Sequence, residues 1–568
     1  MKRDLDAFAG REFDVAIIGA GIYGATAAWE AASRGLSVAL IDRGDFGAAT
    51  SANSLKTVHG GLRYLQHLDI ARTVESIRER RILLGIAAHL VRPLCCIMPT
   101  YGRFLKSKSV MRAGLAVNDL IGFNRNRGLD PEQRIPIGKV VSRQECLGAI
   151  PGIDGSRVTG GAVWSDAQMV SSERLLLSFI RAAVKAGACA ANYVEAVGFL
   201  RVDRRLVGVA AKDVLTGKEF EIRSASVLNA TGGYADNLAA KAVPGIARRL
   251  VRLSTAMNLV VRRNLLPECA AGIPSRFTHV RENGGPVHGT RVLFFAPWNG
   301  FTLIGTHHRP YAGDPDAMAV TEEEIETFLA EAGRAYPGTV LGREDVTLCH
   351  KGFLPMDGVD QRTGEVRLTP HPRIHDHERE DGVGGIVTVV GVKYTTARAV
   401  AERTVDLLFR KLGRDPRKSI SRQTSLGGGG TGPFSRFLER IVETRPSGLG
   451  AEPLAHLVSH YGSEYPAVLR LLEKNPAWRS TVPGSDRVIA AEIVHAVRDE
   501  MAVTLSDAVR RRTNLGAGMH PGRECLAFCA GLMAGELGWD AARVEHEIQA
   551  TASAFRPVAG EAGKGGSS

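Results

Sequence analysis

The stretch Asp14-Val-Ala-Ile-Ile-Gly19-Ala-Gly21-Ile-Tyr-Gly24, followed after a helix-like run by Ser37-Val-Ala-Leu-Ile-Asp42, decides the fold. It reads as a strand, a glycine-rich turn, a helix, and a second strand that ends in an acid. Gly19 lets the chain turn sharply out of the strand, and Gly21 lets a pyrophosphate approach the backbone. Gly24 lets the helix sit close on the sheet. The helix start offers unpaired N–H groups and partial positive charge to phosphates. Asp42 is placed to accept hydrogen bonds from a ribose 2′-OH. A lone Gly-x-Gly-x-x-Gly is weak, and its bland alternative is a βα turn that binds nothing. Here strand, helix and acid all agree, so a dinucleotide site is expected.

Around that motif, 568 residues exceed what one core usually holds, so two or three domains are expected. Apolar residues at 44% and charged residues at 23% are ordinary for a globular chain. The net charge of +12 favours phosphorylated substrates, anionic lipid or nucleic acid. No nucleic-acid motif is present, and the basic cluster Arg248, Arg249 and Arg252 reads as a solvated face, so the first two partners are preferred. The eight cysteines (Cys95, Cys96, Cys146, Cys189, Cys269, Cys349, Cys525 and Cys529) are scattered, a pattern that fits a reducing cytoplasm. Cys525 and Cys529 share a helix face, but no second ligand pair lies nearby, so packed thiols and no metal site are expected. Met1 to Glu12 shows no secretory signal, and no apolar run approaches the ~20 residues of a membrane span. A cytoplasmic location is expected. The segment Phe104 to Val117 mixes cations with apolar residues and suits peripheral contact with the inner face of the membrane. An ordinary amphipathic segment is the preferred reading of it.

Strand-like runs at Val15–Ile18, Val38–Ile41, Ala225–Asn229 and Ile386–Val390 have the character of buried parallel strands. One nucleotide-binding sheet gathered from distant segments explains them. Phe294–Trp298 and Phe301–Gly305 read as two strands around a turn. The glycine-rich run Gln423 to Pro433 reads as a flexible linker, and a helical domain follows from about residue 433. The tail from Gly560 to Ser568 is expected to be disordered.

Further blocks narrow the dinucleotide. Ala49-Thr50-Ser51-Ala-Asn-Ser54 carries small hydroxyl residues suited to phosphate oxygens, and Lys56-Thr-Val-His59-Gly60-Gly61-Leu-Arg63-Tyr64-Leu65 comes next. Leu228-Asn229-Ala230-Thr231-Gly232-Gly233 ends a strand in a small-residue turn, and Gly391-Val-Lys393-Tyr-Thr395-Thr396 opens a helix. With Glu492 to Thr513 in the helical end, the order and spacing of these blocks closely resemble the FAD-dependent glycerol-3-phosphate dehydrogenases over about Asp14 to Asp540.

The resemblance implies an α/β flavoprotein. Its FAD-binding domain is glutathione-reductase-like (Rossmann-type) and discontinuous, over 1–75, 155–240 and 350–415. A mixed-sheet substrate domain would occupy 76–154 and 241–349, an all-α domain 433–556, and a disordered tail 557–568. Gly19, Gly21, Gly24 and Asp42 would hold the ADP half of FAD, and Thr50 and Ser51 the pyrophosphate region. Thr231, Gly232 and Gly391 would lie along the cofactor, with Lys393 and Thr395 by its ring and Arg63 and Tyr64 facing substrate. The bland alternatives are solvated cations for Lys393 and Arg63 and core packing for Tyr64. The implied reaction takes glycerol 3-phosphate, or a close polyol phosphate, to the ketone and passes electrons to a quinone. A homodimer is left open.

The substrate half departs from the family's pattern. Where the family has Gly-Val-Arg-Pro-Leu, this chain has Gly352-Phe-Leu354-Pro355-Met356. A second family arginine falls at Leu368, beside Arg367. The family's Lys-Gly-Ser-His block appears as Thr255-Ala-Met257-Asn258, and Asn258 is no comparable base. His59 is another candidate base. His307, His308, Arg309, His350 and Lys351 are candidates to replace the lost charge, and His308 stands where the family usually has Asp. A different, non-phosphorylated substrate, an oxidase using O₂ and a non-catalytic flavin protein are the alternatives.

Overall fold

The four β-branched runs that surround the glycine motif lie side by side. In the computed structural model, which describes residues 1–102, 107–243, 245, 249–280 and 286–556, Glu12–Ile18 pairs in parallel with Val38–Ile41 on one edge and Glu219–Asn229 on the other. Ile386–Val390 adds in parallel beside Glu219–Asn229. All four carry fully buried apolar residues, because helices cover the sheet and its middle is screened from water. The helix Ile22–Ser33 packs between Ser172–Lys185 and Ala397–Lys411, with Trp29 against Phe179 at 5.5 Å. The expected tail at 557–568 lies outside the described residues.

The second sheet is mixed. Its described strands run in the order Val366–Leu368, Val346–Val359, Arg252–Val261, Phe301–Tyr311, Pro286–Trp298, Ala270–Val280, Val91–Tyr101, Val158–Met169 and Thr57–Val58. The expected boundaries therefore shift: Thr57–Val58, Val158–Met169 and much of Val346–Val359 belong to this sheet, although they fall within the ranges assigned to FAD. Hydrogen bonding to a distant strand decides membership, and proximity in sequence to the glycine motif does not. The turn between Phe294–Trp298 and Phe301–Gly305 is Asn299-Gly300, both with positive φ (50° and 85°), as a two-residue hairpin turn of matching twist requires. The helix Glu322–Ala335 covers one face of this sheet through Ile325, Phe328 and Leu329.

Two expectations are corrected here. Gly427 to Gly430 is no slack linker. A Cβ on Gly428 would lie 2.4 Å from the Tyr461 carbonyl, and one on Gly429 would lie 2.3 Å from that of Ile86. Leu426 N–H donates to Ile86 O (2.9 Å) and Ser463 N–H to Gly428 O (3.0 Å). These glycines bring three backbone segments together. The scattered cysteines also conceal one pair. Cys95 and Cys269, 174 residues apart, form a disulfide because Ala270 pairs in parallel with Cys96. Cys525 and Cys529 are buried together in the helical domain as packed thiols.

Candidate functional site

The glycine turn is shaped by backbone contact. Gly19 has φ +96°, and a Cβ there would sit 2.8 Å from the Ala230 carbonyl oxygen. A Cβ on Gly24 would fall 1.8 Å from Gly19 O, so no side chain fits between helix and turn. Gly21 directly precedes the helix Ile22–Ser33, whose first N–H donates to Ser51 Oγ at 3.0 Å. Ser51 is thereby fixed at the helix mouth, where phosphate charge is favoured. Thr50 Oγ1 accepts from Phe353 N–H (3.0 Å). Buried Lys56 pins the same loop by donating to Ala52 O, Ser172 Oγ and Glu173 at 2.6–2.8 Å. Asp42 accepts from Ala20 N–H (2.7 Å) and Gly44 N–H (2.9 Å), and burial pushes its carboxyl up to about 6. A carboxylate has four acceptor sites, so Asp42 keeps capacity for a further donor, which would favour its ionised form. On the far side, Thr231 donates N–H and Oγ1–H to Asn229 Oδ1, and Gly232 takes φ +60°. The cradle fits a dinucleotide.

Lys393 and Tyr64, distant in sequence, meet beside it. Lys393 Nζ lies 4.0 Å from the centre of the Tyr64 ring and 3.3 Å from Ser76 Oγ, while Arg72 sits 3.9 Å from the same ring centre. Burial, then Arg72, brings Lys393 down to about 7. The Lys393 loop is tied to the phosphate helix by Tyr23. The Tyr23 hydroxyl accepts from Val392 N–H and Lys393 N–H and donates to Lys393 O at 2.7 Å. Gly391 is glycine because a Cβ would lie 2.0 Å from the Tyr23 ring. Thr395 is buried just before the helix Ala397–Lys411. Tyr23 lies inside the glycine fingerprint, but its partner is 370 residues away.

His59 belongs to a dyad. Its Nδ1 lies 3.1 Å from Asp166 Oδ2, and the ring is 41% exposed. Asp166 also accepts from Gly60 N–H (2.6 Å) and Arg80 (2.8 Å). Burial would raise this carboxyl, yet His59, Arg80 and the Gly60 N–H hold it at about 2. An ionised Asp166 accepts from Nδ1–H and orients the ring, which is partly open to solvent. Asp166 and Arg80 carry no sequence motif: the pairing of strands brings Asp166 beside His59, and the helix Ile70–Ile86 delivers Arg80.

The sheet beside the cradle sorts the remaining candidates by alternation. Asn258 pairs with His350, and Ala256 lies between Gly352 and His308. This is the face turned to the cradle: a Cβ on Gly352 would touch Thr50 at 2.9 Å, and His350 Nδ1 donates to Ser54 O at 3.2 Å. Asn258 Oδ1 accepts from Thr306 Oγ1 at 2.8 Å. His308 is held neutral by burial and by Arg291, His307 and Arg63, at about 3, and its buried Nδ1 has no partner among the described residues. Burial and Lys56 likewise hold His350 at about 3. Neither histidine supplies a cation. Lys351 is corrected as a substrate contact. It pairs with Met257 on the opposite face, where its ammonium meets the Glu324 carboxylate at 2.7 Å and the Ala319 carbonyl. His307 also turns that way, to Arg291 and Glu331. Leu354 pairs with Ser254, and Leu368 with Met356. Arg63 is exposed; its charge adds to the burial that lowers His308 and opposes the burial that raises Glu365.

Comparison with known proteins meets this geometry. The family described as FAD dependent oxidoreductase matches residues 14–407, and that described as the C-terminal domain of alpha-glycerophosphate oxidase matches residues 419–544. The glycerol-3-phosphate dehydrogenase of Synechocystis sp. is 30% identical over 542 residues, covering 94% of this chain and 95% of its own. The chain belongs to the FAD-dependent glycerol-3-phosphate dehydrogenase family. Glycerol-3-phosphate dehydrogenase 2 of Mycobacterium tuberculosis is 29% identical over 94% of this chain and 87% of its own. The solved glycerol-3-phosphate dehydrogenase of Bacillus halodurans, complexed with FAD, shares the fold at a TM-score of 0.74 and 23% identity, covering 97% of this chain and 96% of its own. The protein is thus an FAD-dependent oxidoreductase of a family acting on CH–OH donors.

In this family member the helical domain is clamped to the cradle. Asp45, three residues past Asp42, is buried and accepts from Arg512 (2.6 and 2.7 Å), Arg511 and Asn192. Burial would raise Asp45, but Arg512 and Arg511 hold it well below the usual carboxylate range. Buried Glu500 adds a second tie to Arg174 and Arg181. The arginines of Glu492 to Thr513 therefore join domains.

Proposed function

We propose that the protein oxidises glycerol 3-phosphate, or a close polyol phosphate, to the ketone. The grouping of Lys393, Arg72 and Arg63 around Tyr64, beside the outward His59 of the Asp166 dyad, carries this reading. Gly19, Gly21, Gly24, Asp42, Ser51 and the Gly391 loop would hold FAD, which would supply the hydride-accepting redox chemistry. The chain supplies the rest. His59 Nε2 takes the proton of the secondary hydroxyl, and ionised Asp166 stabilises the imidazolium that results. Arg63 and Arg72 offer charge-assisted donors to a phosphate. Lys393, when charged, places a cation beside the reacting centre. Anaerobic mixing with glycerol 3-phosphate is expected to bleach the flavin absorbance; a spectrum that stays oxidised rejects this substrate.

A second reading rests on the sheet face. Leu354 replaces an arginine there, and the cations Lys351 and Arg291 turn to the opposite face, where Glu324 and Glu331 neutralise them. A non-phosphorylated alcohol, hydroxy acid or amine then becomes the substrate, and a panel that bleaches the flavin where glycerol 3-phosphate does not identifies it.

For the acceptor, a membrane quinone is supported by an apolar surface beside Tyr64. The helix Lys108–Ile121 packs on the turn Leu62–His67 that carries Arg63 and Tyr64. Leu68, Leu120 and Phe123 stand 82%, 75% and 82% exposed there, and Lys108 and Arg112 add positive charge. Among the described residues no helix is long and apolar enough to cross a membrane. An interfacial helix with cations is suited to lie on anionic lipid. The first part of the sequence segment that pointed here, 104–106, lies outside the described residues.

A further inference from the structure

Where the cradle sheet ends, on the side away from Lys393, two buried imidazoles converge on one carboxylate oxygen. His375 Nε2 lies 2.6 Å and His377 Nδ1 2.8 Å from Asp381 Oδ2. One ligand atom from each of the three side chains lies within 4.8 Å of the others. The local chain makes this meeting. His375 is on the edge strand Arg373–Asp376, His377 opens the short helix His377–Asp381, and Asp381 ends it four residues on. The two rings meet edge-on with centres 4.3 Å apart, and neither is exposed to solvent.

The far nitrogen of each ring is also engaged. His375 Nδ1 faces Glu380 (2.9 Å) and Arg373 (3.0 Å), which pair with each other at 2.7 Å. His377 Nε2 lies 2.8 Å from Thr388 Oγ1. This is how imidazole ligands are held for a metal: a carboxylate or hydroxyl outside fixes the tautomer, and the inner nitrogen points at the ion. Two imidazoles, one carboxylate and a water make the four-coordinate N,N,O,O set suited to a borderline divalent cation such as Zn²⁺. Hard cations such as Mg²⁺ prefer all-oxygen sets.

We infer that His375, His377 and Asp381 form a binding site for one Zn²⁺ ion, braced by Glu380 and Thr388 and separate from the flavin chemistry. The site touches the cradle through a chain of polar contacts. Thr388 Oγ1 accepts from Asn229 Nδ2 at 3.2 Å, and Asn229 Oδ1 holds Thr231. The ion therefore acts as a structural brace behind the turn Thr231-Gly232.

The test uses the FAD-loaded protein, stripped with a chelator and titrated with Zn²⁺ alone against a chromophoric chelator. One equivalent is expected to bind tightly, and the thermal midpoint to rise with free Zn²⁺. Asp381→Asn and His377→Gln are each expected to weaken that equivalent at least ~10-fold while the flavin spectrum is kept. A native chain that takes up no Zn²⁺, or that binds it no more tightly than Asp381→Asn, overturns the site. Should both variants fail to fold, the native titration decides alone: no uptake, or uptake without a rise in thermal midpoint, overturns it.

Discussion

The cofactor cradle and the second sheet are built on opposite principles. In the cradle, backbone meets backbone: Gly19 against Ala230, Gly24 against Gly19, Gly391 against Tyr23. In the sheet, side chains meet side chains, and acids consume cations: on the face away from the cradle Glu324 takes Lys351 and Glu331 takes Arg291, and nearer the cradle Asp166 takes Arg80. A glycine motif can be read letter by letter because each glycine answers a local steric demand. A charge on the sheet face has no meaning until its partner is known, since a paired buried cation no longer awaits an anion.

The contrast is broken most sharply at His59, a sheet-side group that keeps its ring 41% exposed. His59→Gln is expected to lower kcat ~10²–10⁴-fold while FAD content is unchanged. Turnover within a factor of a few of the native rate would move the base elsewhere. The next test asks whether the cradle depends on distant side chains after all. Arg512→Ala removes two of the contacts on the buried Asp45 carboxylate and leaves it to Arg511 and Asn192, and is expected to cost ~1.5–3 kcal/mol of stability, read by denaturant unfolding. An unchanged midpoint would make the clamp dispensable.

The smallest expected effect lies at the seam between the regions. In cofactor-free protein Lys393 is lowered to about 7 from an ordinary 10.5. Between those values the unfolded chain binds the extra proton, so stability rises with pH across that window and the penalty is full below pH 7. Lys393→Met is expected to flatten that rise, and parallel pH profiles for the two proteins would count against the burial of the ammonium.

The same contrast marks what the sequence discloses. Gly19, Gly21, Gly24, the Asp42 strand and the hairpin at Asn299-Gly300 are legible because their causes lie within a few residues. Asp166 is invisible beside His59, since 107 residues separate them and only strand pairing joins them. Lys351 and His350 are neighbours in sequence with opposite fates, because one step along a strand reverses the side-chain direction. The glycines at Gly427 to Gly430 are ambiguous by nature: the residue that permits slack also permits the closest backbone packing, and composition does not separate the two. His375, His377 and Asp381 have a visible spacing, but their convergence depends on where a strand yields to a helix.

The grip of Arg511 and Arg512 on Asp45 spans 466 and 467 residues. The nucleotide-binding loop emerges early from the ribosome and must then wait for nearly the whole chain before its buried acid finds its counter-charges. Until the last helices arrive, that loop carries an acid whose counter-charges have not yet been made. Nascent chains cut short before Arg511 would therefore be poor acceptors of the coenzyme, and loading would follow release of the finished polypeptide.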